Sequence, residues 1–208
     1  MASKNPPLPV LERGSAEAVL REFFRTRHPR IAGKVERQVR RTPRRQTGEY
    51  KTNRECRWSL TEDHPDYTAP EEIARIEAKL YAMALEFQEA PTLTDDVAAA
   101  ASTILGKAVT RGNYRCPVTG RPMSFRELVE ECQNPKPGRS TFHVGHVKPR
   151  ALRGGNTADN TYWTTDLGNR IQGDKSWHET TKIIVEMAEF HRQRANVSWG
   201  ELVNRFLD

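Results

Sequence analysis

The chain is poor in cysteine and in long apolar runs. Three of its 208 residues are cysteines, Cys56, Cys116 and Cys132, and no two of them form a Cys-x-x-Cys pair. An odd number in that arrangement fits a reducing cytoplasmic compartment better than a disulfide framework. No stretch approaches the roughly 18 apolar residues of a transmembrane helix. The N-terminus, MASKNPPLPVLERGS, lacks a hydrophobic core segment, so no secretory signal is expected. There is no internal repeat, and no aromatic pattern of the kind that stacks single-stranded RNA bases.

Charge is present, and it is segregated. The whole chain carries +6. From Arg30 to Arg57, ten Lys/Arg stand against three acids, Glu36, Glu49 and Glu55, a window of +7. From Thr61 to Ala100 there are ten acids and two bases, or −8. Such segregation predicts one face that meets a polyanion, although a solvated basic loop has the same composition. Thr, Gln, Tyr and Asn are interleaved with the arginines. These groups bond phosphates and base edges, which points to nucleic acid.

Local signals give a coarse map. Ser15 caps a predicted helix with Val19, Leu20, Phe23 and Phe24 on its apolar side. The basic window, punctuated by Gly33, Pro43 and Gly48, reads as loops or short strands. Pro70, Glu71 and Glu72 open a long helix with Ile73, Ile76, Leu80 and Met83 on one side. Another helix starts near Asp95, and Gly112-Asn113 marks a boundary between regions 1–112 and 113–208. Beyond it, Tyr114-Arg115-Cys116 reads as a short strand, and Ser124 to Glu127 as a capping box. Thr141–Val147 and Thr161–Thr165 read as strands around a 150–160 loop. Asp166 caps a helix carrying Asn169, a helix follows from about Glu179 to Arg194, and Ser198 opens a last one.

The stretch from Thr141 to about Lys175 therefore runs strand, loop, strand, helix. Along it lie His146, Pro149, Gly154-Gly155, Asn160 and Asn169. Taken singly, His146 is a turn histidine, Asn160 a loop residue and Asn169 a surface residue. As an ordered set, from Tyr114 to about Trp177, they resemble the HNH, or His-Me finger (ββα-metal), nucleases.

The resemblance implies roles. His146 is the general base, since neutral imidazole suits deprotonation of water near pH 7. Asn160 braces the loop that aims His146. Asn169 is a metal ligand, its amide oxygen suited to Mg²⁺ or Mn²⁺. Many family members carry Asp just before the histidine, where this chain has Gly145. Either the ion is held through Asn169 with water and phosphate, or His143, two residues earlier, takes the place of the Asp. Many members also carry Cys-x-x-Cys before the finger. Here the matching stretch is Cys116-Pro-Val-Thr119, so no structural zinc is expected. Trp163 and Trp177 are expected in the core.

The expected phosphate contacts are Lys148, Arg150, Arg153, Arg170 and Lys175 in the finger, with Arg40, Arg41, Arg44 and Arg45 in the basic arm. The predicted architecture is α+β, with a mainly helical N-terminal region and a basic arm, followed by a ββα-metal finger with C-terminal helices. The implied activity is that of a type II restriction endonuclease, a homodimer on double-stranded DNA leaving 5′-phosphate and 3′-hydroxyl ends. Two other readings stay open: a nicking HNH endonuclease of a phage or mobile element, and a DNA-binding module with a degenerate finger.

Overall fold

The computed structural model describes residues 8, 10–42, 55–136, 138–149, 152, 154–195 and 198–201. Among the described residues the main elements run in the order α1 (Ala16–Arg27), α2 (Pro29–Arg40), α3 (Pro70–Ala84), α4 (Asp95–Leu105), α5 (Phe125–Gln133), β1 (Phe142–His146), β2 (Thr161–Thr165), α6 (Asp166–Gln172) and α7 (Trp177–Ala195). A short 3-10 turn, Arg57–Ser59, precedes α3. The class is α+β.

The ends of the helices follow from their caps. The Ser15 hydroxyl accepts from Ala18 N at 3.3 Å and opens α1. Pro70 sits in the first turn of α3 with Glu71 and Glu72, where the positive end of the helix favours carboxylates. Gly106, at φ 67°, closes α4. The Ser124 hydroxyl accepts from Glu127 N and opens α5. Thr165, not Asp166, caps α6, its hydroxyl accepting from Gly168 N at 3.0 Å.

Two local expectations are corrected. Tyr114–Cys116 is not a strand, only an isolated bridge between Arg115 and Pro122. The first part of the basic window is not loop but helix α2. Its arginines obscure an apolar stripe, Ile31, Val35 and Val39, with Ala32 beside it, all buried. The helix tolerates its charge because acids from elsewhere meet it. Lys34 Nζ lies 2.6 Å from Glu131 Oε1, and Arg40 pairs with buried Glu77.

One apolar cluster holds the molecule, and it draws on both sides of Gly112. Phe24, Ile31, Ile76, Leu80, Tyr81 and Phe87 meet Met123, Leu128, Phe142 and Trp163 in it. Burying each such large side chain is worth about 1.5–3 kcal/mol. Helix α3 is central, packing against α1, α2, α4 and β2. Trp163 on β2 is fully buried, and its Nε1 donates to Leu80 O at 2.8 Å. The hairpin is thereby bolted to α3. Trp177 is half-buried, edge-on to Tyr162 at 4.7 Å.

Strands β1 and β2 pair antiparallel, with Gly145 opposite Tyr162 and His146 opposite Thr161. Helix α6 begins directly after β2. It is tied back to the end of β1 by Gln172, whose Nε2 donates to His146 O at 2.7 Å. Among the described residues no helix is long and apolar enough to cross a membrane.

Candidate active site

His146 ends β1 and faces a cavity of about 310 Å³. Arg37, Arg41, Arg57, His143 and Asn156 also line it. The His146 Nε2 lies 3.3 Å from Asn156 Oδ1. An amide oxygen only accepts, so Nε2 carries the proton and Nδ1 keeps its lone pair. The amide is oriented in turn by Thr68, since Asn156 Nδ2 donates to Thr68 Oγ1 at 2.9 Å. Burial holds the His146 pKa below its ordinary value, and the positive charge of Arg57 adds to this; the Asn156 bond acts the other way. The imidazole is thus neutral and presents a free basic nitrogen.

Asn160 holds the loop that follows. Its Oδ1 accepts from Lys148 N at 2.7 Å, and its Nδ2 donates to Lys148 O at 2.9 Å and Gly155 O at 2.7 Å. One amide therefore closes both ends of the 148–155 loop. The glycines allow this: a Cβ on Gly154 would lie 1.7 Å from Lys148 O. The same loop region is latched to α3, with Ala158 N donating to Glu72 Oε1 at 2.6 Å.

Asn169 is exposed on α6, and its side chain makes no hydrogen bond among the described residues. Gly145 is enclosed. A Cβ there would stand 2.7 Å from Tyr162 Cζ, so the ring fills the space a side chain would need. His143 is engaged elsewhere, with Nε2 donating to Ser140 O at 2.8 Å and lying 3.6 Å from Asp166 Oδ1. Among the described residues no group of three or more His, Cys, Asp or Glu side chains is placed to hold a metal. Cys116 lies under the hairpin, its sulfur 3.4 Å from Thr164 Oγ1 and 3.5 Å from Thr165 Oγ1.

The cationic residues divide. Arg170 is exposed and pairs with Asp166 at 2.7 Å. The Lys148 side chain is exposed, while Lys175 lies 3.3 Å from Asp174. Arg41 is exposed at the rim of the cavity. Arg40 is turned inward, bonded through Nε and Nη2 to Glu77 and 3.2 Å from Glu36. Arg44, Arg45, Arg150 and Arg153 lie outside the described residues. Thr42, which lines the cavity, donates through its backbone N to Glu55 O at 3.0 Å.

Sequence reasoning passed over five of these groups: Arg37, Arg57, Thr68, Asn156 and Gln172. Arg37 and Arg57 were visible only as members of a charge run. Thr68 and Asn156 are 88 positions apart, and nothing local joins them. Gln172 stands three residues after Asn169, on the same helical face, a spacing that signals it in retrospect.

No protein-family model matches this sequence, and no curated protein does. A solved crystal structure of a type II restriction endonuclease is similar in fold, with a TM-score of 0.61 at 17% identity. The match covers 84% of this chain and 82% of that one. The likeness is one of architecture across most of both chains.

Proposed function

We propose that the chain is a metal-dependent endonuclease of the HNH kind that cuts double-stranded DNA at a specific sequence, as a type II restriction enzyme does. The observation that carries the reading is the Asn160 clamp beside a neutral His146 with Nδ1 free, in a cavity edged by arginines. The fold likeness supports the same reading.

His146 Nδ1 takes the proton of the attacking water. Asn156 and Thr68 keep the tautomer that makes this possible. Asn160 keeps the loop, and so the ring, in place. Exposed Arg37, Arg41 and Lys148 supply the positive potential that a phosphate backbone needs. Asn169 fits a hard divalent ion: a single uncommitted amide oxygen on an exposed helix suits Mg²⁺ or Mn²⁺ that keeps most of its own waters. Tyr162 closing the Gly145 position and Ser140 occupying His143 Nε2 favour this single-ligand reading over one through His143. When bound, such an ion stabilises negative charge on the phosphate and on the departing 3′ oxygen.

The test is incubation of purified protein with a methylation-free plasmid and Mg²⁺, Mn²⁺ or EDTA, beside His146→Ala and Asn169→Ala. Discrete fragments with 5′-phosphate ends are expected with metal and none with EDTA. Each variant is expected to lose roughly 10²–10⁴-fold in rate. Nicks or a smear point instead to a loosely specific enzyme. DNA binding without cleavage under any ion points to a binding module.

A further inference from the structure

We infer that Gln172 and Tyr162 form a positioning strut that fixes the separation between His146 and Asn169, the two groups that the proposed reaction brings to one phosphate. The inference rests on the nuclease reading. His146 ends β1 and Asn169 stands on α6, so no single element carries both. Whatever ties α6 to β1 sets the distance between them. Apolar packing does little of this. Helix α6 is seven residues long, and its only buried residues are Gly168 and Gln172. Its large apolar side chains, Leu167 and Ile171, are 42% and 41% exposed. Two close contacts place the helix instead. Near its start, a Cβ on Gly168 would lie 2.6 Å from both Cys116 Sγ and Thr164 Oγ1, so the backbone rests directly on those side chains. At its end stands Gln172. Asn169 lies between the two, one residue after Gly168 and three before Gln172.

Gln172 is 3% exposed, and its whole amide is committed. Both Nε2 protons are used, one to His146 O at 2.7 Å and one to Lys175 O at 3.1 Å. Its Oε1 accepts from the Tyr162 hydroxyl. Tyr162 carries the strut across to β2. It stands opposite Gly145 in the strand pairing, and its ring covers that glycine, where a Cβ would be 2.7 Å from Cζ and 2.9 Å from the hydroxyl oxygen. The ring is buried, and Trp177 packs edge-on against it at 4.7 Å. Burial pushes the phenol up to about 12, so the hydroxyl keeps its proton and stays a donor. The path from base to ligand is hydrogen-bonded or covalent throughout: His146 O, the Gln172 amide, one turn of α6, Asn169. Burial of apolar surface is non-directional and tolerates sliding. A fully satisfied buried amide specifies one arrangement.

Two variants of the full chain test the strut. Gln172→Met removes the amide at nearly constant volume, and Tyr162→Phe removes only the hydroxyl and leaves the ring on Gly145. Single-turnover plasmid cleavage at saturating enzyme is compared with DNA affinity in EDTA. In Gln172→Met, kcat is expected to fall on the order of 10²-fold, as for a displacement of about 1 Å, with DNA affinity unchanged. Tyr162→Phe is expected to lose less. Both losses persist far below the melting temperature, where a residue that served stability alone would show none. A second readout needs no cleavage: broadening of the His146 ring resonances by Mn²⁺, which falls steeply with distance, with His146→Ala to assign the signals and Asn169→Ala to place the ion. The broadening is expected in the wild type, absent in Asn169→Ala and altered in Gln172→Met. Wild-type kcat in Gln172→Met, a loss that vanishes on cooling, or a loss explained by weaker DNA binding overturns the proposal. Should Gln172→Met misfold, Tyr162→Phe decides, and wild-type kcat there overturns it. A wild-type His146 ring that Mn²⁺ leaves unbroadened, or broadens equally in Asn169→Ala, removes Asn169 as ligand and the strut with it. A wild type that cuts no DNA removes the nuclease reading; the strut then stands or falls on whether the broadening differs in Gln172→Met.

Discussion

Asn160 allows hydrogen bonding and shape to be separated by two substitutions, one that truncates the side chain and one that keeps its shape. Asn160→Ala removes three hydrogen bonds to the backbone of the 148–155 loop. Each is worth about 1 kcal/mol net, and water replaces part of it at this accessible site, so the loss is roughly 1–2 kcal/mol. Asn160→Asp preserves shape and the acceptor for Lys148 N. It also turns the donor towards Lys148 O and Gly155 O into an acceptor, facing two carbonyl oxygens that stand 2.9 and 2.7 Å away in the wild type. The isosteric change is therefore the worse one, at roughly 2–4 kcal/mol. In a chain of this length that lowers Tm by about 4–16 °C, against about 2–8 °C for alanine. On the proposed function, loss of the clamp misplaces His146, and a displacement of about 1 Å costs on the order of 10²-fold in kcat. Thermal melts and single-turnover cleavage at saturating enzyme read both quantities. An Asp variant that is more stable than the Ala variant, or cleavage within about threefold of wild type in both, refutes the reasoning.

Two further predictions concern charges. Arg57→Gln removes a positive charge near His146 and is expected to raise its pKa towards 6.5; the acid limb of the kcat/KM profile then moves to higher pH, and an unmoved limb would count against Arg57 as its cause. The sign also applies to stability: the His146 pKa is depressed in the fold, so its contribution is present above about 6.5 and lost as pH falls below it, and pH-dependent urea melts should show a smaller loss in the variant. Glu77→Ala leaves Arg40 and Arg21, both largely buried, without their shared carboxylate, which should cost about 3–5 kcal/mol, or roughly 6–20 °C in Tm; a drop under about 2 °C would show that the two guanidiniums find other partners.

The parts of the fold legible in the sequence are those set by neighbours in the chain. Pro70 with Glu71 and Glu72 starts α3, and the β-prone runs around the 150–160 loop give β1 and β2. What escaped is set by distant partners. Lys34 and Arg40 of α2 turn inward to Glu131 and Glu77, which lie 97 and 37 positions away, and no local count of arginines contains that. The candidate site divides the same way. His146, Asn160 and Asn169 stand out by order and spacing. Asn156 did not, because its value lies in Thr68 on the far side of the chain. Gly145 read as a missing ligand; that its place is occupied by Tyr162 emerges only from the strand register.

That register has a consequence for how recognition and cutting are joined. The two residues that flank the basic segment 43–54 are joined by one backbone hydrogen bond, Thr42 N to Glu55 O, and Thr42 lines the His146 cavity. Two residues later Arg57 donates to Val39 O at 2.9 Å, and its charge adds to the burial that lowers the His146 pKa. Thr68, which ends the same connection before α3, fixes the amide that sets the His146 tautomer. On the proposed function, DNA that engages the 43–54 segment acts through Thr42 and Glu55 on the connection that carries these two groups. A recognition arm and a nuclease finger on separate supports would let a poorly matched sequence be cut as soon as it was bound. Here the support is shared, so the fit of the arm and the readiness of His146 are not independent quantities. Discrimination between sites is then expressed in the rate of cleavage as well as in affinity.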